Sequence, residues 1–233
     1  MFISGLQKMT LLDFPGKVAC TVFLPGCNFR CPFCHNGQLL EGEQEIQMDD
    51  RELLTFLAKR KGLLDGVCIT GGEPTLQPEL ASLITQIKAM GFAVKLDTNG
   101  SNPAVLKELV SQNLLDYVAM DIKNSPDAYA QTAGTCVQLP QVEQSIRFLS
   151  EEYVDYEFRT TVVEQLHDPK SILQMGHWVS SLAPEGKVKR WFLQPFVDRD
   201  TVLFAGLCAP EASRISQFAA LLSPFTKEIA VRG

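Results

Sequence analysis

Long apolar runs are missing from this 233-residue sequence, and none reaches the ~18 residues of a bilayer span. The opening stretch MFISGLQKMTLLDFPGK breaks up its apolar residues with Gln7, Lys8 and Asp13. No small-residue cleavage site follows, so it does not read as a signal peptide. Positive charge is also scarce. Lys and Arg number 21 against 27 Asp and Glu, for a net charge of -6 and a pI near 5.2. That balance argues against a surface made to neutralise nucleic-acid phosphates or anionic lipid, so neither nucleic acid nor membrane is expected as a partner. Internal repeats, low-complexity tracts, flexible linkers and a dinucleotide-binding fingerprint are lacking too. Of the three histidines, His167 and His177 stand at no metal-ligand spacing. The expectation is one cytoplasmic domain over 1–233 with an ordinary composition, 45% hydrophobic and 21% charged.

A strand-then-helix rhythm fills the chain. Strands are expected at 17–24, 66–70, 92–97, 117–122, 156–163 and 189–196, short runs rich in β-branched and aromatic residues. Helical patterns lie between them: DDRELLTFLAKRKG, QPELASLITQIKAMG, NPAVLKELVSQ, LPQVEQSIRFLSEE, DPKSILQMGHWVSSL and PEASRISQFAALL. EIAVR suggests a last strand. Alternation of this kind implies parallel strands joined by right-handed crossovers. Six units fall short of the eight of a closed barrel, so the fold class is α/β, an open partial (β/α)6 barrel.

The polar motifs follow the strands. PGCNFRCPFCHNG comes after the first, TGGEPT (Gly71, Gly72, Glu73) after the second, DTNG (Asp97, Thr98) at the end of the third, MDIK (Asp121, Lys123) at the end of the fourth and QPF after the sixth. Arg159 lies within the fifth. Loops at the carboxyl ends of parallel strands carry function in such folds. Each motif also has a plainer reading: a glycine turn with a solvated Glu73, a helix cap at Asp97, an ion pair between Asp121 and Lys123 two residues apart on one strand face.

Seven cysteines make a disulfide framework a poor reading of this chain. Cys20 and Cys68 lie in apolar strands and read as small buried hydrophobes; Cys136 and Cys208 receive no role. Cys27, Cys31 and Cys34 are clustered at x3 and x2 spacing. A closed zinc site wants four ligands, and His35 directly follows Cys34, a poor position for the fourth. A CPFC dithiol would leave Cys27 idle. A [4Fe-4S] cluster held by three thiolates would keep one iron open.

At this point the residues resemble a known family. Cys27-x3-Cys31-x2-Cys34, with Phe33 before the last cysteine, is similar to the signature of radical S-adenosylmethionine (SAM) enzymes, and TGGEP is similar to their GGE segment. CHN, LDTNG, MDIK and FRTTVV together resemble the glycyl-radical-enzyme activases. GLQKMTLLDFPGKVACTVFLPGCNFRCPFCHN is most similar to the longer form of those that activate anaerobic ribonucleoside-triphosphate reductase. The resemblance implies a three-cysteine [4Fe-4S] cluster whose open iron takes SAM, and a low-potential electron donor such as flavodoxin or ferredoxin. A glycyl radical enzyme, an anaerobic ribonucleotide reductase, would be the partner. It implies that Gly71, Gly72 and Glu73 hold the SAM amino group, and that Asp97, Thr98 and Asp121 surround a monovalent cation. It further implies that Lys123 and Arg159 lie near SAM, while Phe33 and His35 flank its adenine. Where pyruvate formate-lyase activases carry a SAM-contacting histidine, this sequence has Val197. Other readings are an activase of the pyruvate formate-lyase type, a radical SAM enzyme acting on a small molecule such as a deazapurine precursor, or an iron-sulfur or zinc binding module.

Overall fold

The computed structural model describes residues 1–40 and 47–232. In chain order its strands and helices are β1 (Phe2–Ile3), β2 (Gly5–Thr10), β3 (Ala19–Leu24), β4 (Met48–Asp49), α1 (Asp50–Ala58), β5 (Gly66–Gly71), α2 (Leu80–Ala89), β6 (Ala93–Thr98), α3 (Pro103–Ser111), β7 (Tyr117–Asp121), α4 (Pro126–Ala133), α5 (Leu139–Ser150), β8 (Asp155–Val162), α6 (Pro169–Leu182), β9 (Val188–Pro195), α7 (Ala212–Leu222) and β10 (Thr226–Val231). The six expected strand-helix units are there, and the fold is α/β.

The chain packs as two compact units. The first comprises Met1–Asn28, Gln38–Thr98 and Ala104–Val118; the second comprises Phe29–Gly37, Asn99–Pro103 and Ala119–Gly233. In the first unit the strand order is β2-β3-β5-β6. β2 runs antiparallel to β3, while β3, β5 and β6 are parallel, with Leu24 opposite Gly71 at the carboxyl end of the β3–β5 pair. The strand burial is nearly continuous: Ala19, Cys20, Val22, Val67, Cys68, Ile69, Val94 and Leu96 have no exposed surface. Strands covered on both faces read this way. Cys20 and Cys68 are the packed hydrophobes the sequence suggested, and burial pushes the Cys20 thiol up to about 12.

The second unit takes the carboxyl end of β7, from Ala119, and then β8, β9 and β10 in that order, with β8, β9 and β10 parallel. Trp191, Tyr129, Tyr156 and Phe158 fill its core. The aromatic Phe158 meets Tyr156 and Trp191 edge to face. Burying such rings contributes roughly 1.5–3 kcal/mol each. The indole Nε1 of Trp191 donates to Thr160 Oγ1 at 3.0 Å, which satisfies its one polar group.

Local chemistry sets the helix starts. Asp49 accepts from Glu52 N–H and the Glu52 carboxylate accepts from Asp49 N–H, both at 2.9 Å, a reciprocal cap on α1. Asp168 and Ser171 do the same for α6. Four elements were not expected: the short antiparallel pair β1 and β4, the strand β2 and the helix α4. β2 is an edge strand whose side chains are mostly exposed. α4 is short and polar; it starts at Ser125-Pro126 and stops at Gly134 in the left-handed region, φ 66°. Among the described residues no helix is long and apolar enough to cross a membrane.

Candidate active site

In the first unit, β3 runs into Pro25, Gly26 and Cys27, and β5 runs into Gly71, Gly72 and Glu73. Backbone bonds stitch the two exits together: Gly72 N–H donates to Leu24 O at 2.9 Å and Glu73 N–H to Gly26 O at 2.7 Å. Gln77 Nε2 donates to Pro25 O at 2.6 Å. Only glycine allows this approach. Gly71 has φ 124°, and a Cβ there would sit 2.2 Å from Leu24 O; on Gly72 it would sit 1.9 Å from Gly26 O. The two glycines therefore shape the path of the chain into Cys27.

Glu73 is 1% exposed, so the plainer reading of a solvated turn residue does not hold. Its Oε1 accepts from Thr75 N–H at 3.1 Å, Thr75 Oγ1 at 2.6 Å and Thr98 Oγ1 at 2.8 Å. Three donors on one oxygen fix the carboxylate and make burial of its charge tolerable. The structure thus joins Glu73 to Thr98, two of the residues singled out from the sequence, and adds Thr75.

Asp97 is no helix cap. Its Oδ1 pairs with Lys95 Nζ, two residues back on the same strand face. Lys95 is 1% exposed, and its Nζ also lies 3.8 Å from Cys68 Sγ. Sequence reasoning passed over Lys95, although a lysine inside the apolar run FAVKLD was a signal: an ammonium buried there needs a carboxylate within reach.

In the second unit, Cys31 and Cys34 bracket a tight turn, with Cys34 N–H donating to Cys31 O at 3.0 Å. The α4 terminus holds the loop from one side. Arg30 N–H donates to Ala133 O at 2.8 Å, and a Cβ on Gly134 would lie 2.0 Å from Arg30 O. His35 stacks on Phe196, with ring centroids 5.6 Å apart and planes at 7°, and its Nε2 meets Val197 O at 2.6 Å. The backbone at the position that lacks the family histidine thus orients a different histidine. Lys123 Nζ lies 5.9 Å from the Phe33 ring centre.

Asp121, Lys123 and Arg159 form one ionic group. Lys123 Nζ bonds Asp121 Oδ2 at 2.9 Å and Arg159 Nε bonds Asp121 Oδ1 at 3.1 Å. Burial pulls the Asp121 carboxyl up, but the two cations outweigh it and hold the pKa at about 2. Burial likewise works against charge on Lys123, and the Asp121 carboxylate and Cys31 outweigh it, so its pKa rises. The ion pair that the sequence offered as a plainer reading exists, with Arg159 as its third member. Both carboxylates assigned by resemblance to a monovalent cation, Asp97 and Asp121, are thus already matched by protein cations.

His167 is a buried positioning group. Its Nδ1 accepts from Val163 N–H at 3.1 Å and its Nε2 meets Lys123 O at 2.9 Å. Burial pushes its pKa down, which keeps the ring neutral with the proton on Nε2. Thr160 Oγ1 donates to Ile122 O at 2.9 Å beside it. The segment after β7 that bears Lys123 is therefore fixed from two sides.

All seven cysteines stand as thiols. Cys31 is buried, and burial raises its thiol pKa while Lys123 works the other way. Such a thiol stays protonated against water and gives up its proton to a metal. Among the described residues no three His, Cys, Asp or Glu side chains converge as ligands of one ion would. A cluster, whose irons take one thiolate each, asks for no such convergence. Three thiols are the donor type and number that a [4Fe-4S] cluster with one open iron takes.

The family model described as the radical SAM superfamily matches residues 21–163. A Methanocaldococcus jannaschii protein provisionally named a glycyl-radical enzyme activating enzyme is 28% identical over 99% of this chain and 95% of its own length. The pyruvate formate-lyase-activating enzyme of Clostridium pasteurianum is 33% identical over 54% of this chain and 53% of its length, so that match spans about half of each. Among solved structures, a domain of a pyruvate-formate lyase-activating enzyme from Bacteroides vulgatus superposes with a TM-score of 0.59 at 20% identity, over 72% of this chain and 99% of that one. At that identity the likeness establishes the fold.

Proposed function

Because the chain belongs to the radical SAM superfamily, whose model matches more than half of it, we propose that it activates a glycyl radical enzyme, an anaerobic ribonucleoside-triphosphate reductase. The superfamily works with a [4Fe-4S] cluster and SAM, and the chain is an enzyme of that kind. The observation that carries the activase reading is the match to the Methanocaldococcus jannaschii protein, which runs over nearly the whole of both chains. The N-terminal stretch from Gly5 to Asn36 supports the choice of a ribonucleotide reductase as target.

When bound, the cluster and SAM together supply a carbon-centred radical able to take a hydrogen atom from a glycine Cα. The protein supplies orientation and exclusion of water. Cys27, Cys31 and Cys34 would hold the cluster. The Gly71–Glu73 backbone and the fixed Glu73 carboxylate would receive the SAM ammonium, a charge-assisted contact. Lys123 and Arg159, which pair with Asp121, would lie near SAM. Phe33 and His35, the latter held flat by Phe196, would flank the adenine. The electron donor would be a flavodoxin or ferredoxin, and the setting cytoplasmic.

Electron paramagnetic resonance tests the target. Incubation with SAM, reductant and an anaerobic ribonucleotide reductase should give a glycyl doublet on the reductase. A doublet on a pyruvate formate-lyase instead, or on neither with SAM still cleaved, would reject it.

Glu73→Ala is expected to weaken SAM binding by about 10-fold or more, the loss of one charge-assisted contact of ~1.5–3 kcal/mol. Iron content should stay near that of the parent protein. Equilibrium binding of SAM to reconstituted protein reads the first and iron analysis the second; unchanged affinity would remove Glu73 from the SAM site.

A further inference from the structure

The connection between β9 and α7, residues 196–211, contains no helix or strand. Connections longer than about 12–15 residues without secondary structure are uncommon, and when ordered they are usually binding loops or lids. This one is tied to the cysteine loop. Phe204 N–H donates to Pro32 O at 3.2 Å. Val197 O meets His35 Nε2 at 2.6 Å, and the buried Phe196 stacks on the His35 ring. A Cβ on Gly37 would come within 2.8 Å of Leu203 and 2.9 Å of Thr201 O, so the two segments lie in close contact. The strap is also held by the loop after β8: Gln165 Nε2 donates to Gly206 O at 3.1 Å, and Cys208 N–H donates to Gln165 Oε1 at 3.0 Å.

A strap fixed by its backbone on two sides still turns its large apolar side chains to water. Val197 is 51% exposed, Leu203 38% and Phe204 60%. Apolar side chains that are held in place and exposed together mark an interaction surface. Beside them is a cleft of about 270 Å³ lined by Asp198, Arg199, Asp200, Val202 and Phe204. Its two carboxylates outnumber its one guanidinium, and its apolar wall suits the stem of a long cationic side chain.

We propose that residues 197–207 are the docking surface for the protein that supplies the glycine, gripped through the apolar patch and through a lysine or arginine of its own placed in the Asp198–Asp200 cleft. This rests on the activase reading above. The occupant must reach the radical source, and the strap is bonded directly to the loop that bears Cys31 and Cys34. Small substrates are ordinarily enclosed by their sites; these side chains point outward, as a surface for a macromolecule does. A chain of net charge -6 favours a basic segment on its partner.

The test uses the reconstituted enzyme with an anaerobic ribonucleotide reductase as the probe, by surface plasmon resonance at two salt concentrations. Phe204→Ala should weaken binding at least about tenfold, as the loss of an interface anchor does. A double Asp198→Lys, Asp200→Lys variant should weaken it similarly and reduce its salt dependence. Reductive SAM cleavage in the absence of reductase should be unchanged in both. Unchanged reductase affinity in both variants would overturn the proposal. Parallel loss of SAM cleavage would also overturn it, by placing the strap in the SAM site. So would a change in oligomeric state at constant reductase affinity, which would make a second copy the occupant. If the parent enzyme cleaves SAM but binds no reductase, the reductase as target fails, and the proposal with it.

Discussion

Cys31→Ala is expected to bring reductive SAM cleavage in anaerobically reconstituted protein down to background, a loss of more than about 100-fold. That is the upper end of what changes to groups merely supporting a metal ligand cost. Iron content should fall with it. The fold should not: Cys31 is a small, 7% exposed side chain, and trimming it to alanine costs about 1 kcal/mol of packing. The backbone bond from Cys34 N–H to Cys31 O and the Arg30–Ala133 bond need no thiol, so the loop retains its shape. Circular dichroism should report a folded variant without activity. Cys27→Ala and Cys34→Ala should behave alike. Formation of 5'-deoxyadenosine at the parent rate in any of the three would end the cluster assignment.

Asp121→Asn is expected to destabilise the protein by about 2 kcal/mol and to lower the melting temperature by about 4–8 °C. The carboxylate separates Lys123 and Arg159, and the asparagine would leave two cations facing each other in a site where Asp121 itself is only 30% exposed. The pH dependence follows from the same contacts. The Asp121 pKa is lowered from 3.8 to about 2, so its contribution is complete above about pH 4 and is lost as the pH falls towards 2. Each unit of that shift corresponds to about 1.4 kcal/mol, which gives the same order of loss. The stability gap between parent and variant should thus be widest near neutrality and narrow below about pH 4. Denaturant melts across that range check it; a gap independent of pH would mean that the triad does not hold the charge.

The strands and the capped helices were legible because their signals are local. Asp49 with Glu52 and Asp168 with Ser171 announce helix starts within four residues, and the apolar runs of the parallel strands need no distant partner to be read. α4 carried its local marks, Ser125-Pro126 and Gly134, but its polar sequence SPDAYAQTAG has little amphipathic contrast, and its three buried residues, Tyr129, Thr132 and Ala133, do not stand out. β2 was missed because an exposed edge strand has no burial pattern to betray it. In the site, the residue types were legible and their pairings were not. Nothing near Glu73 says that Thr98 will donate to it, and nothing near His35 points to Val197. Such contacts are set by the order of strands, which brings distant loop ends together only after the sheet has formed. Lys95 lies between: its partner Asp97 is two residues away, and period-two alternation alone suffices to find it.

The bonds from Gly72 to Leu24 and from Glu73 to Gly26 also bear on what sets the exit towards Cys27. They are made entirely by backbone groups, just past the ends of strands that pair through Leu24 and Gly71. Iron takes no part in them. The path of the chain into Cys27 is therefore set by backbone pairing and by the two glycines, and no side-chain ligand enters it.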